Sequence, residues 1–171
     1  MDKFTSIAGK VIKFIVLLPI AVIVLLFLYI TIGFQIHWHE NRVVQNYTVE
    51  YVTRYIEYLE NGGEVLTSVE GSGNSAVTKK EDLEFMIELI SSAEVRWKEY
   101  SNGVGKDYDS FEIGEFSLIA YKRNYQISIS GQAFPESIRK PNTRLNLYIT
   151  PELYEQAVEL SDRLRAEQEQ E

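Results

Sequence analysis

The residues best able to coordinate a metal or move a proton are few, and two of them sit together. Both histidines of the 171-residue chain, His37 and His39, lie in GFQIHWHENR, with Trp38 between them and Glu40 next. A protein-bound transition metal needs three or four ligands converging on one point. In a continuous helix each residue advances about 100°, so His37 and His39 would project about 200° apart and could not share an ion. In an extended segment they would point the same way. The chain has no third histidine and no cysteine, so Glu40 or a distant carboxylate would have to complete the set. The bland reading is an interfacial belt, with Trp38 at the lipid headgroups and the histidines just outside. Titration of histidine near neutrality adds a lesser reading, contact with lipid phosphate that depends on protonation.

A second group, Asp107, Asp109 and Glu112 in GVGKDYDSFE, offers oxygen ligands for a hard cation. Its spacing departs from the EF-hand loop, which wants a further early ligand and a glycine at a fixed offset. The stretch also lacks the Gly-Lys-Ser/Thr register of a phosphate loop, and reads as a solvated strand connection. Without cysteine, and with both histidines beside an apolar segment, nucleophile and base pairs are hard to assemble. Carboxylates abound, yet no pair is singled out by an apolar setting. We therefore expect no catalytic residue and no cofactor. The triplet Asn46-Tyr47-Thr48 matches a glycosylation sequon, but one such triplet is close to a chance occurrence.

The strongest binding candidate is a row of aromatic residues. In ENRVVQNYTVEYVTRYIEYLENGG, Tyr47, Tyr51, Tyr55 and Tyr58 fall on one helical stripe, beside Val49, Val52, Ile56 and Leu59. With Val43 and Val44 the apolar arc exceeds the roughly 100° that a surface helix needs to cover one core. Asn46, Glu50, Thr53, Arg54, Glu57 and Glu60 are left for solvent. Tyrosine combines a large apolar face with a polar tip, which suits it to protein interfaces and to stacking on sugars. The alternative is that these rings finish the domain's own core.

The elements that position these groups begin with Phe14 to Phe34, FIVLLPIAVIVLLFLYITIGF, which carries no charge. About 20 such residues span the ~30 Å hydrocarbon layer at 1.5 Å per residue. The segment is longer than the roughly 7–15 apolar residues of a secretory signal and is followed by a poor cleavage site, so it reads as a retained signal anchor. Pro19 should kink it. Lys3, Lys10 and Lys13 precede the span, against Arg42 and Arg54 just after it, a bias that puts the N-terminus in the cytoplasm. Lys10, Lys13 and Trp38 are the expected membrane-interface residues.

From Glu40 onward 14 Lys and Arg face 24 Asp and Glu, a formal charge of minus 10. Such a surface disfavours nucleic acid and anionic lipid. The absence of cysteine excludes a disulfide framework and suits an extracytoplasmic bacterial domain without demanding one.

The rest of the chain alternates short strands with two helices. EVLTSVE and SAVTKK around Gly71–Asn74 read as a hairpin. Thr78 and Glu81 form a capping box for the helix KKEDLEFMIELISSAE, which buries Leu83, Met86, Ile87 and Ile90. Four strands are expected in EVRWKEY, EFSLIAYKR, YQISISG and RLNLYIT, with a tight turn near Arg123 and Asn124. Alternation turns Tyr125, Ile127 and Ile129 inward in one, and Leu145, Leu147 and Ile149 in another. QAFPESIRKPN reads as a loop. Thr150-Pro151 starts a last helix that buries Leu153, Ala157, Leu160 and Leu164.

The expectation is an α+β protein: one N-terminal transmembrane helix, then a mainly antiparallel sheet of about five to six strands packed with helices. Its parts are a cytoplasmic N-terminus (1–13), the span (14–36), the tyrosine-striped helix (37–61), the extracytoplasmic domain (62–165) and an acidic frayed tail (166–171). Functionally, the expectation is a single-pass protein of the cell membrane, of the bacterial inner or plasma membrane type. Lipid contacts 14–36, and the domain, periplasmic or extracellular, binds a protein partner or a second copy. An envelope-complex subunit or an immunity-type protein fits. A small-ligand or glycan sensor comes next, and a metal-dependent hydrolase third.

Overall fold

The computed structural model describes residues 2–66, 75–95, 108–131, 134 and 145–169, side chains of 2–14, 16 and 145 excepted. They fall into two compact units, residues 1–39 and 40–171. The elements are helix α1 (Asp2–Glu60), strand β1 (Ser75–Ala76), helix α2 (Lys80–Ser92), strands β2 (Tyr108–Ile113), β3 (Phe116–Tyr121), β4 (Gln126–Gly131) and β5 (Leu145–Tyr148), and helix α3 (Pro151–Gln168). Three helices and a five-stranded, mostly antiparallel sheet make the fold α+β, as the sequence implies.

The first unit is the N-terminal part of α1. α1 is the one helix among the described residues that is long and apolar enough to cross a membrane. Its large apolar side chains, among them Leu17, Ile23, Phe27 and Ile30, are exposed. A row with no protein to cover it is what a lipid-facing helix requires. α1 runs through Pro19 without a break in its assigned helix.

The second unit is built on the sheet. β1 pairs in parallel with β2, and β2 to β5 form an antiparallel meander in the order β1-β2-β3-β4-β5. The expected hairpin around 71–74 is not how β1 pairs. Its two residues align with Phe111 and Glu112 instead, and the Val77 N–H donates to the Glu112 carbonyl. Glu64–Leu66 form no strand, and the remainder of EVLTSVE lies outside the described residues.

β2 occupies part of what the sequence suggested was a loop. Asp109 and Ser110 disguise its start, but Phe111 and Ile113 alternate inward and Gly114-Glu115 closes a two-residue hairpin onto β3. Gly114 has φ of 58°, the positive value that the first position of a type II′ turn demands. The turn near Arg123 and Asn124 is present as a 3-10 turn, Lys122–Asn124, ending on Tyr125 with φ of 47°. Tyr125 thus precedes β4 and is partly exposed, whereas Ile127 and Ile129 are buried as alternation requires. Of EVRWKEY, Glu94 makes one bridge to Tyr148 and 96–100 lie outside the described residues, as does most of QAFPESIRKPN.

One sheet face carries Phe111, Ile113, Phe116, Leu118, Ala120, Ile127, Ile129 and Leu147, all buried. With them in one core cluster lie Val52 and Ile56 of α1, Leu83, Met86, Leu89 and Ile90 of α2, and Ala157, Leu160 and Leu164 of α3. Each such side chain removed from water contributes about 1.5–3 kcal/mol, enough to offset the low helix propensity of the β-branched residues in α1.

The start of α2 is satisfied differently from expectation. The capping box at Thr78 does not form; the N-cap is Lys79, whose side chain makes no capping bond. At the other end of α2 the buried Gln45 of α1 donates through Nε2 to the carbonyls of Ile90 and Ala93, the latter at 3.0 Å. Carbonyls of the last turn have no partner within a helix, so Gln45 caps α2 from outside it. α3 starts as the sequence predicts, with Thr150 Oγ1 accepting from the Leu153 N–H at 3.3 Å. It continues to Gln168, beyond the expected onset of fraying at 166.

Candidate partner-binding surface

The four tyrosines do share a row on α1, and the row is engaged within the chain. Tyr51 Oη accepts from the Glu115 N–H at 3.0 Å, Tyr55 Oη from the Leu66 N–H at 3.2 Å and Tyr58 Oη from the Glu64 N–H at 3.2 Å. Tyr51 meets Phe116 edge-on with centroids 4.7 Å apart, and Tyr47 lies against Phe134 at 6.4 Å. Two of these rings rest where only glycine fits. A Cβ on Gly114 would stand 2.4 Å from Tyr51 Oη, and one on Gly63 would stand 2.4 Å from the Tyr58 ring. Each tyrosine therefore covers a glycine and accepts the N–H of the next residue, locking a turn to the helix. Burial raises the phenol pKa of both Tyr51 and Tyr55, against the opposing effect of the N–H each accepts. Tyr55 is buried and Tyr58 is 44% exposed, so the row leaves a partner mainly the outer edge of Tyr58.

The candidate metal ligands do not converge. His37 and His39 both lie within α1, where the helical period sets them on opposed sides. Trp38 and His39 are exposed, and Glu40 follows in the second unit. Lys10 and Lys13 fall where only the backbone is described. Asp107 lies outside the described residues. Asp109 and Glu112, three apart in β2, belong to opposite faces of the sheet. Asp109 is already paired with Arg165 Nη2 at 2.8 Å, an ion pair that fastens α3 to β2. Among the described residues no group of three His, Asp or Glu side chains is placed to hold a metal ion.

A different surface gathers polar groups around apolar ones. Asp82, Phe85, Gln156, Glu159, Leu160 and Arg163 line an open groove between α2 and α3, with a volume of about 420 Å³. Phe85 and Leu160 form its apolar lining. Asp82, in the first turn of α2, is almost fully buried, and its Oδ1 accepts from Arg163 Nη2, whose side chain is about half exposed. The neighbouring carboxylate raises the pKa of the Arg163 guanidinium further. Asp82 Oδ2 is buried without a hydrogen-bond partner. Both helices carry exposed carboxylates, Glu81, Glu84 and Glu88 on α2 and Glu152, Glu155, Glu159 and Asp162 on α3, of which Glu159 lines the groove. At its end Lys79 of the α2 N-cap pairs with Glu167 at 2.6 Å, which holds the Glu167 carboxyl below its ordinary value.

None of these groove residues is marked by motif or spacing alone. The available signal is a polar residue in an apolar row: Asp82 lies four before Met86, and Gln45 lies three and seven before Thr48 and Val52. Comparison of the chain with known protein families, with characterised proteins and with solved structures finds no match. The functional reading accordingly rests on the residues themselves.

Proposed function

We propose that the chain is a single-pass membrane protein whose acidic α+β domain lies outside the cytoplasm and binds a protein partner. It would serve as a subunit of an envelope assembly or as an immunity-type protein that intercepts another protein at the bacterial inner or plasma membrane. The observation that carries this reading is the groove between α2 and α3, where Phe85 and Leu160 are set among Asp82, Gln156, Glu159 and Arg163 on a domain of formal charge minus 10. An open, partly apolar surface with a polar rim is the anatomy of a protein interface, whereas a small ligand is more often enclosed. The apolar part of α1 supports the membrane anchor, and the lysines before it support a cytoplasmic N-terminus.

The test is site-specific photo-crosslinking in intact cells, with the photoreactive residue placed in turn at Gln156, Glu88 and Glu155. We expect one discrete protein adduct shared by these positions and none from Arg54 on α1. Well-expressed variants that give no adduct from any position of α2 or α3 would contradict the proposal.

A further inference from the structure

From the groove geometry we infer that it receives a lysine or arginine side chain of the partner protein, and that Arg163 occupies the cation position until the partner arrives. The inference rests on the protein-binding reading above and adds what the partner presents. Asp82 is a carboxylate 3% exposed, yet only its Oδ1 is bonded; Oδ2 is buried without a donor. An ionised carboxylate accepts several hydrogen bonds, and a buried oxygen that accepts none costs free energy that an added donor recovers. Arg163, whose side chain is about half exposed, returns to water readily once an incoming cation takes its place at Asp82.

The sign of the ligand follows from the charges. Asp82 and Glu159 line the groove against one lining cation, Arg163; of the exposed charged residues nearby, Glu81, Glu152, Glu155 and Asp162 are acidic, and Lys79 is already paired with Glu167. Its shape follows from the apolar lining. The aliphatic stem of a lysine or arginine packs on Phe85 and Leu160 while its charged end reaches Asp82 and Glu159, with the Phe85 ring available to a cation. A free amine would gain the charge contacts but would leave most of an open groove of about 420 Å³ unfilled. A side chain carried on a protein segment fills it.

The test uses the full chain, isotopically labelled in detergent micelles and titrated with synthetic amphipathic helical peptides, followed by the amide signals of Asp82, Phe85, Leu160 and Arg163. The probes are one peptide with a central lysine, its norleucine counterpart, and free N-acetyl-lysine amide. We expect the lysine peptide to shift these four signals and the other two probes to leave them nearly unmoved. Arg163→Gln vacates the cation position and should tighten the lysine peptide about tenfold, the order of a charge-assisted hydrogen bond. Glu159→Gln, at an exposed residue whose loss spares the fold, should weaken it about threefold. Equal binding of the norleucine peptide, equal binding of the free amine, no shifts at all, or weaker binding by Arg163→Gln would each overturn the inference. Adducts in cells from Glu88 and Glu155 but none from Gln156, with no peptide shifts, would refute the groove while leaving a protein-binding domain. No adducts anywhere, with groove binding intact, would refute the proposed function alone.

Discussion

At the residue scale the domain depends on polar groups inside apolar rows, several of them matched to backbone groups of another element. Tyr51 and Gly114 are such a pair: the glycine allows both the positive φ and the close approach of the phenol, and the phenol accepts the N–H of Glu115. Tyr51→Phe should cost about 1–2 kcal/mol in denaturant unfolding of the full chain in micelles, the price of a hydrogen bond lost beside the core. Gly114→Ala should cost more, because strain at φ of 58° adds to the clash with Tyr51. In the double variant the clash term falls, so the two costs should sum to less than additive; strict additivity would show that the two residues do not interact.

The same phenols set an alkaline limit. Tyr51 and Tyr55 titrate above the ordinary value of 10.0 in the folded chain because burial disfavours phenolate. The folded state then holds these protons more tightly than the unfolded chain does. Their contribution to stability is complete below the unfolded value and is lost as pH rises through the folded one. Unfolding monitored from pH 8 to 12 should show stability falling from about pH 10 upward. The slope should flatten in Tyr51→Phe/Tyr55→Phe, and an unchanged slope would place the alkaline limit elsewhere.

At the element scale the sequence is most legible where a single physical signal dominates. Phe14 to Phe34 needs only its length and lack of charge, and α3 announces itself by Thr150-Pro151. α2 is found by its apolar face, but its N-terminus is not, because Thr78 and Glu81 match the pattern of a capping box without forming one. β2 is obscured because Asp109, an inward-facing strand residue, is polar; its partner Arg165 comes from a helix 56 residues away. The tyrosine row was legible as a row, while its acceptor role was not, since the Glu115 N–H lies 64 positions from Tyr51, and those of Glu64 and Leu66 reach Tyr58 and Tyr55 only once the chain turns back after α1.

Gln45 shows the same limit. It looks like one polar residue beside Val44, yet it supplies the C-terminal cap of α2. Gln45→Leu should cost about 1–3 kcal/mol, since the carbonyl of Ala93, just past α2, loses its Gln45 donor, while that of Ile90 keeps only the Ala93 N–H. Asn46→Leu, one residue along on the exposed side of α1, should change stability by no more than about 0.5 kcal/mol. Equal effects of the two would remove the capping role.

At the scale of the whole molecule the chain divides its tasks between its two units. Residues 1–39 carry the exposed apolar row, and residues 40–171 carry the core, the charge and the groove. The candidate site could not be read from motifs because its parts, Asp82 and Arg163, are 81 positions apart and meet only when α2 and α3 pack on the sheet. The charge balance pointed to a basic partner class only once the acidic side chains had a surface to share.

The proposed function depends on which side of the membrane that surface faces, and the absence of cysteine makes this directly measurable. A single cysteine is introduced at Ser6, before the span, or at the exposed Ser92, at the end of α2. Intact cells are then treated with a membrane-impermeant maleimide. The account predicts labelling at position 92 without lysis and at position 6 only after lysis. Labelling at position 6 in intact cells with position 92 protected would contradict it.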